Sequence, residues 1–202
     1  MRVLILTYNR ALVSDIRRLF ALAELPDMFE ENCVTINTMQ SFFFQLANNL
    51  LYDGRMLGDE FLEKYDSILR EMNVFLSDDD AIGLAKESMA ADQILDWDYV
   101  LIDEAQDWKA GERDVILKLF EKGKTIIADG GNQFVRRGQM CDWATIRERN
   151  NIKLKYCLRQ KENIVSFLNE YTQHVDMPSE KIISNGKMPG GKIIIISDNM
   201  LF

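Results

Sequence analysis

Short apolar blocks alternate along this chain with longer stretches in which apolar residues return every three or four positions. Blocks of that kind read as buried strands, and the longer stretches as helices with one inward face. Val3 to Leu6 is the first block. Asn9 to Ala23 then predicts a helix with Leu12, Ile16, Leu19, Phe20 and Ala23 inward. Cys33 to Ile36 is a second strand, and Thr38 to Leu51 a second helix burying Met39, Phe42, Phe43, Leu46 and Leu50. Tyr99 to Ile102, Thr125 to Ala128, Leu154 to Cys157 and Lys192 to Ser197 are further strand candidates. Helices are expected over Gly111 to Glu121, from Asp142 to Arg149, and over Glu162 to Gln173.

Residues 52–95 break the alternation. Phe61, Tyr65, Ile68, Leu69 and Met72 sit at helical spacing, and Asp80 is a candidate cap for a second helix carrying Ile82, Ala85 and Met89. No strand signal separates them, so the segment reads as a small helical insert. Its apolar stripe is a packing surface and not a cofactor site. Strand and helix in alternation imply an α/β domain with a mostly parallel sheet.

Composition narrows the class. Of 202 residues, 47% are apolar and 28% charged, as in ordinary globular proteins, and the net charge is −8. That balance argues against a protein held on nucleic acid mainly by a basic surface. It leaves open a grip through stacking and a few phosphate contacts. Cys33, Cys141 and Cys157 are widely spaced with no Cys-x-x-Cys, which fits reduced thiols and a cytoplasmic location. His174 is the one histidine, so no histidine-based metal cluster can form. No apolar run approaches the ~20 residues of a membrane span, and the apolar segment after Met1-Arg2 is too short for a signal peptide.

The chemistry concentrates where the block Tyr99 to Ile102 ends in Asp103-Glu104-Ala105-Gln106-Asp107. In parallel sheets ligands gather at the carboxyl ends of strands. A carboxylate there can hold Mg²⁺, largely through water, and its neighbour can orient or deprotonate an attacking water. Acids at a strand end can also simply begin a loop. The usual partner of such a pair, a Gly-x-x-x-x-Gly-Lys-Ser/Thr phosphate loop, does not occur in these residues. Gly190-Gly191-Lys192 lacks the hydroxyl residue and leads toward a strand, so it is no substitute.

Other segments acquire meaning beside the acids. Asp129-Gly130-Gly131-Asn132-Gln133 ends the next strand; its glycines admit a phosphate, and Gln133 could reach a γ-phosphate or its water. Arg159 follows the strand ending at Cys157 and could stabilise charge in phosphoryl transfer. Thr7-Tyr8-Asn9-Arg10 and Thr38-Met39-Gln40-Ser41-Phe42 offer small polar side chains and helix-start amides to a nucleic-acid phosphate. Taken singly, a tight turn, a surface charge and two helix caps explain them as well.

In order, these segments resemble motifs Ia, Ib, II, III and IV of superfamily 1 DNA helicases of the UvrD/Rep type. Leu6 to Leu12 is similar to motif Ia, and Thr38 to Phe42 to motif Ib with Gln40 where many members have histidine. Ile102 to Asp107 resembles motif II, Asp129 to Gly138 motif III, and Leu158-Arg159-Gln160 motif IV. The resemblance implies a RecA-like P-loop NTPase domain over 1–51 and 96–175, with the helical insert at 52–95. Residues 176–202 would be a linker and the first strand toward a second RecA-like domain. It implies ATP and Mg²⁺ as cofactors: Asp103 on the metal, Glu104 activating water, Gln133 and Arg159 at the γ-phosphate. Thr7, Asn9, Arg10, Thr38, Ser41 and Phe134 would face single-stranded DNA. The Walker A segment and the second motor domain, with motifs V and VI, would be partners supplied by a longer protein. The expected function is thus part of an ATP-dependent helicase or translocase motor, inactive by itself. Two alternatives stand beside it: a non-catalytic helicase-like binding module, and a metal-dependent phosphoesterase using Asp103, Glu104, Asp107 and Asp129.

Overall fold

A computed structural model of the chain describes residues 1–25, 33–83, 87, 97–129, 141–143, 152, 156–157, 160–175, 182–184 and 186–193. The chain divides into two compact units, Met1–Arg149 and Asn150–Phe202. The first unit is α/β. Strands β1 (Val3–Thr7), β2 (Val34–Thr38), β3 (Tyr99–Ile102) and β4 (Thr125–Ile127) form one sheet in the order β2-β1-β3-β4, every pair parallel.

Alternate residues of these strands feed two apolar layers, as the two-residue period of a strand requires. Leu4, Leu6, Val100 and Ile102 face the larger layer. There they meet Met39, Phe42, Phe43 and Leu46 of α2 (Met39–Leu50) and Val115, Ile116 and Leu119 of α5 (Ala110–Leu119). The segment after α2 adds to that same layer. Phe61 of α3 (Gly58–Glu63) and Ile68, Leu69 and Met72 of α4 (Tyr65–Phe75) are buried in it, so these helices share the sheet's core. Val3, Ile5, Val34, Ile36 and Leu101 face the smaller layer, closed by Val13, Ile16 and Phe20 of α1 (Arg10–Leu22).

Several local expectations shift. On α1, Ile16 and Phe20 pack inward as anticipated, joined by Val13, but Leu19 is 62% exposed and Ala23 is also exposed. The helix leans to one side of the sheet: Arg17 reaches over β2 to donate to the Ile36 carbonyl, 3.4 Å away, leaving the opposite flank bare. The insert has two helices where one stripe was read, because the chain turns at Lys64. The helical turn at 79–83 is capped by Asp78 and not Asp80. The Asp78 side chain accepts from the Asp80 N–H at 2.9 Å. Ala85, Met89 and residues 144–149 lie outside the described residues.

In the second unit, β5 (Tyr156–Cys157) pairs in parallel with β6 (Ile183–Ser184), and α6 (Glu162–His174) lies between them in sequence. Lys192 and Ile193 are not in a strand, which corrects the start of the expected Lys192–Ser197 strand; the remainder lies outside the described residues. The glycine pair has a packing role. The Met188 and Gly190 carbonyls accept from the Glu162 and Asn163 N–H groups and so cap α6. Gly191 has φ +119°, and a Cβ there would sit 3.1 Å from Cγ1 of Ile164. Those amides are therefore occupied and form no phosphate cradle.

Candidate active site at the carboxyl edge of the sheet

Parallel pairing brings four strand ends to one edge. Thr7 pairs with Thr38, and the ladder continues across β1, β3 and β4. Just beyond it, the Asp103 N–H donates to the Leu6 carbonyl at 3.0 Å and the Ala128 N–H to the Ile102 carbonyl at 2.8 Å. Neighbouring strands lie about 4.8 Å apart, so Thr38, Thr7, Asp103 and Ala128 form a row, with Asp129 one residue past it. Residues far apart in sequence thus converge because all four strands run the same way.

At Asp103 the chain turns sharply. Glu104 adopts the left-handed conformation, φ 49° and ψ 45°. For a residue with a Cβ that costs on the order of 1 kcal/mol and persists only where the surroundings impose it. Three contacts impose it. The Ala105 N–H bonds the Ala128 carbonyl at 3.0 Å, and the Asp107 N–H closes a 3₁₀ turn onto the Glu104 carbonyl at 2.9 Å. Nε2 of Gln106 donates to Oε2 of Glu104 at 2.6 Å. Gln106 and Asp107 are buried, whereas Asp103 and Glu104 are half-buried and open to the edge.

A short strap holds the turn from the other side. The Cys141 N–H donates to the Gln106 carbonyl at 3.2 Å, and Nε1 of the fully buried Trp143 donates to the Ala105 carbonyl at 2.8 Å. Its ring meets Trp108 edge-on, with centroids 6.0 Å apart. Burial pushes the Cys141 thiol up to about 11 against the ordinary 9.0, so it is no nucleophile at neutral pH.

No protein-family model matches this chain, and no curated protein or solved structure matches it either.

Among the described residues no three His, Cys, Asp or Glu side chains gather as a metal cage. That gives no support to the phosphoesterase alternative built on four acids. It is compatible with Mg²⁺ held by one carboxylate, water and substrate phosphate, the common arrangement for that ion. Asp103, half-buried at the strand end, has the donor type for it.

The remaining residues fall into two groups. Asn9 and Thr38 are helix caps: their side chains accept from the Leu12 N–H at 2.8 Å and the Ser41 N–H at 3.2 Å. Thr7 is buried, and its hydroxyl donates to the Asn9 carbonyl at 3.1 Å. Arg10 and Ser41 are exposed at the same edge. Gln133, Phe134 and Arg159 lie outside the described residues. The structure adds two residues to which sequence reasoning assigned no role, Gln106 and Trp143. Gln106 stood inside the acidic motif, but nothing local signalled that it would bond Glu104; Trp143 acts across 38 positions. No helix among the described residues is long and apolar enough to cross a membrane.

Proposed function

We propose that the chain is part of a nucleotide-driven motor of the UvrD/Rep helicase type, with a RecA-like first unit that acts on single-stranded DNA when joined to a phosphate loop and a second motor domain. The observation that carries this reading is the acidic turn: Asp103 at the carboxyl end of a central parallel strand, followed by a strained, hydrogen-bonded Glu104. Strain maintained at a cost is expected where a side chain must be aimed. Asp103 would take the hydrated Mg²⁺ of a nucleotide, and Glu104 would accept the proton of the attacking water.

The sheet's bare half lends further support. The outer edge of β4 has no strand partner among the described residues, and Tyr99 and Ile126 are exposed on the α1 face of β3 and β4, Ile126 at 51%. The β1-to-β2 connection runs toward the β2 edge with α1 on that face; β2 to β3 runs back with α2 on the other. Parallel crossovers keep one hand. A strand added beyond β4 and leading into β1 would therefore carry its helix across Tyr99 and Ile126. Its strand-to-helix turn would open beside Asp103 and Asp129, where helix-start amides bind phosphate.

Phosphate release tests this. The 202-residue chain is expected to show no ATP hydrolysis above background, because its sequence holds no Gly-x-x-x-x-Gly-Lys-Ser/Thr loop to cradle the β- and γ-phosphates. Supplying a strand, phosphate loop and helix ahead of Met1, with a second motor domain, is expected to yield DNA-stimulated hydrolysis. In that protein Glu104→Gln should bind ATP and lose turnover. Robust hydrolysis by the 202 residues alone, or full turnover in Glu104→Gln, would sink the proposal.

A further inference from the structure

Beside the acidic turn, on the α2 face of the sheet, lies a cleft of about 540 Å³. Its walls come from the first turn of α2 (Gln40), the α3–α4 junction with the first turns of α4 (Lys64, Tyr65, Ser67, Arg70), and the residue that begins α5 (Lys109). Three cations stand against Glu63 and Asp66, so the lining is net positive in a chain whose net charge is −8. Arg70 and Gln40 are exposed and have no hydrogen-bond or ion-pair partner among the described residues. Lys64 and Lys109 are engaged, the first with Glu60 at 2.8 Å and the second with Asp66. Both pairs are exposed, and such pairs exchange partners readily in water.

One wall is rigid. The Tyr65 hydroxyl donates to the buried Glu112 at 2.6 Å, and its ring is fixed edge-on by Phe43 and Phe61. The cleft is thus a preformed feature of packed helices. It also adjoins the candidate nucleic-acid edge, since Gln40, in the same first turn of α2 that Thr38 caps and that carries Ser41, lines the cleft together with the cations.

We infer that this cleft binds the sugar–phosphate backbone of a single-stranded nucleic acid, extending the strand's path from the α2 first turn onto the helical insert. The inference rests on the nucleic-acid half of the motor reading and is independent of its nucleotide half. Arg70 is the principal phosphate contact, Gln40 hydrogen-bonds the backbone, and Lys64 and Lys109 add charge as their acids are displaced.

Fluorescence anisotropy with a labelled oligothymidine, on the full chain, tests it. Arg70→Glu should weaken binding about tenfold and lower the salt slope by about 0.7, the increment for one single-strand phosphate. Arg18→Glu makes the same charge change on exposed α1, on the sheet's other face, and should shift the affinity less than about twofold. Gln40→Lys should strengthen binding. Circular dichroism checks that each variant is folded. Equal weakening by Arg70→Glu and Arg18→Glu would mean that only net charge matters, and the cleft assignment falls. If Arg10→Ala and Ser41→Ala weaken binding while Arg70→Glu does not, the strand bypasses the cleft: the inference falls and the motor reading stands. Absence of binding by the unmodified chain overturns both the inference and the nucleic-acid half of that reading. Competition by polyglutamate as strong as by unlabelled oligothymidine reassigns the cleft to acidic peptides.

Discussion

Trp143 is expected to brace the acidic turn through a hydrogen bond and through packing, and two substitutions separate these contributions. Trp143→Phe keeps an aromatic ring but removes the Nε1–H that the Ala105 carbonyl accepts at 2.8 Å. Ala105 and Trp143 are both fully buried, so no water replaces the donor. Leaving that carbonyl unpaired costs about 1–3 kcal/mol. The smaller ring leaves a void beside Trp108 that adds about 1 kcal/mol at ~24 cal/mol per Å³. The expected loss is therefore about 2–4 kcal/mol, with Trp143→Ala somewhat larger. Urea unfolding followed by far-ultraviolet circular dichroism reads it. With a slope near 2 kcal/mol per M, the midpoint should fall by about 1–2 M for Trp143→Phe. Trp97→Phe is the control. Trp97 is half-buried, and Arg2 lies over its ring at 4.5 Å, a contact worth about 0.5–1 kcal/mol. If Trp143→Phe shifts the midpoint no more than Trp97→Phe at an unchanged slope, the strap does not hold the turn.

Three further outcomes are expected. Glu112 is fully buried and accepts from the Tyr65 hydroxyl at 2.6 Å and the Lys109 N–H at 2.7 Å; Glu112→Gln should cost about 1.5–3 kcal/mol by thermal or urea unfolding, and a loss under about 0.5 kcal/mol would contradict that bonding. Gly191→Ala should destabilise the second unit by about 1–3 kcal/mol, seen as faster hydrogen exchange along α6, because alanine fits neither φ +119° nor the 3.1 Å gap to Ile164. Cys141 should resist iodoacetamide at pH 8 while half-exposed Cys33 reacts. A thiol whose folded value lies above its unfolded one stabilises the fold fully below the unfolded value. That contribution should be lost as pH rises from about 9.0 toward about 11, and rapid native alkylation of Cys141 would show its burial to be wrong.

Much of the fold was written in local pattern. β3 falls on the residues where the apolar block ended, and Asn9 and Thr38 cap the helices they were expected to begin. Such features depend on neighbours within one turn or one strand, which periodicity and side-chain type report directly. The acids at the end of β3 were legible for the same reason. What periodicity could not give is which flank of an amphipathic helix the sheet covers. Leu19 and Phe20 are both apolar, yet only Phe20 meets the smaller layer, because α1 leans toward β2. Nor could it give the left-handed Glu104, which no local preference favours and which the hydrogen bond from Ala105 to Ala128, just past β4, and that from Gln106 help impose. The alignment of Thr7, Thr38, Asp103 and Ala128, the strap from Trp143 to Ala105, and the cleft joining Gln40 to Arg70 follow from strand order and helix packing. They join residues tens of positions apart, and the sequence carries no short-range record of them. The sequence alone determined the four strands of the main sheet, the caps at Asn9 and Thr38 and the types of chemical group present. Tertiary structure decided which of those groups share an edge and which are held in place, because the contacts that fix them are long-range.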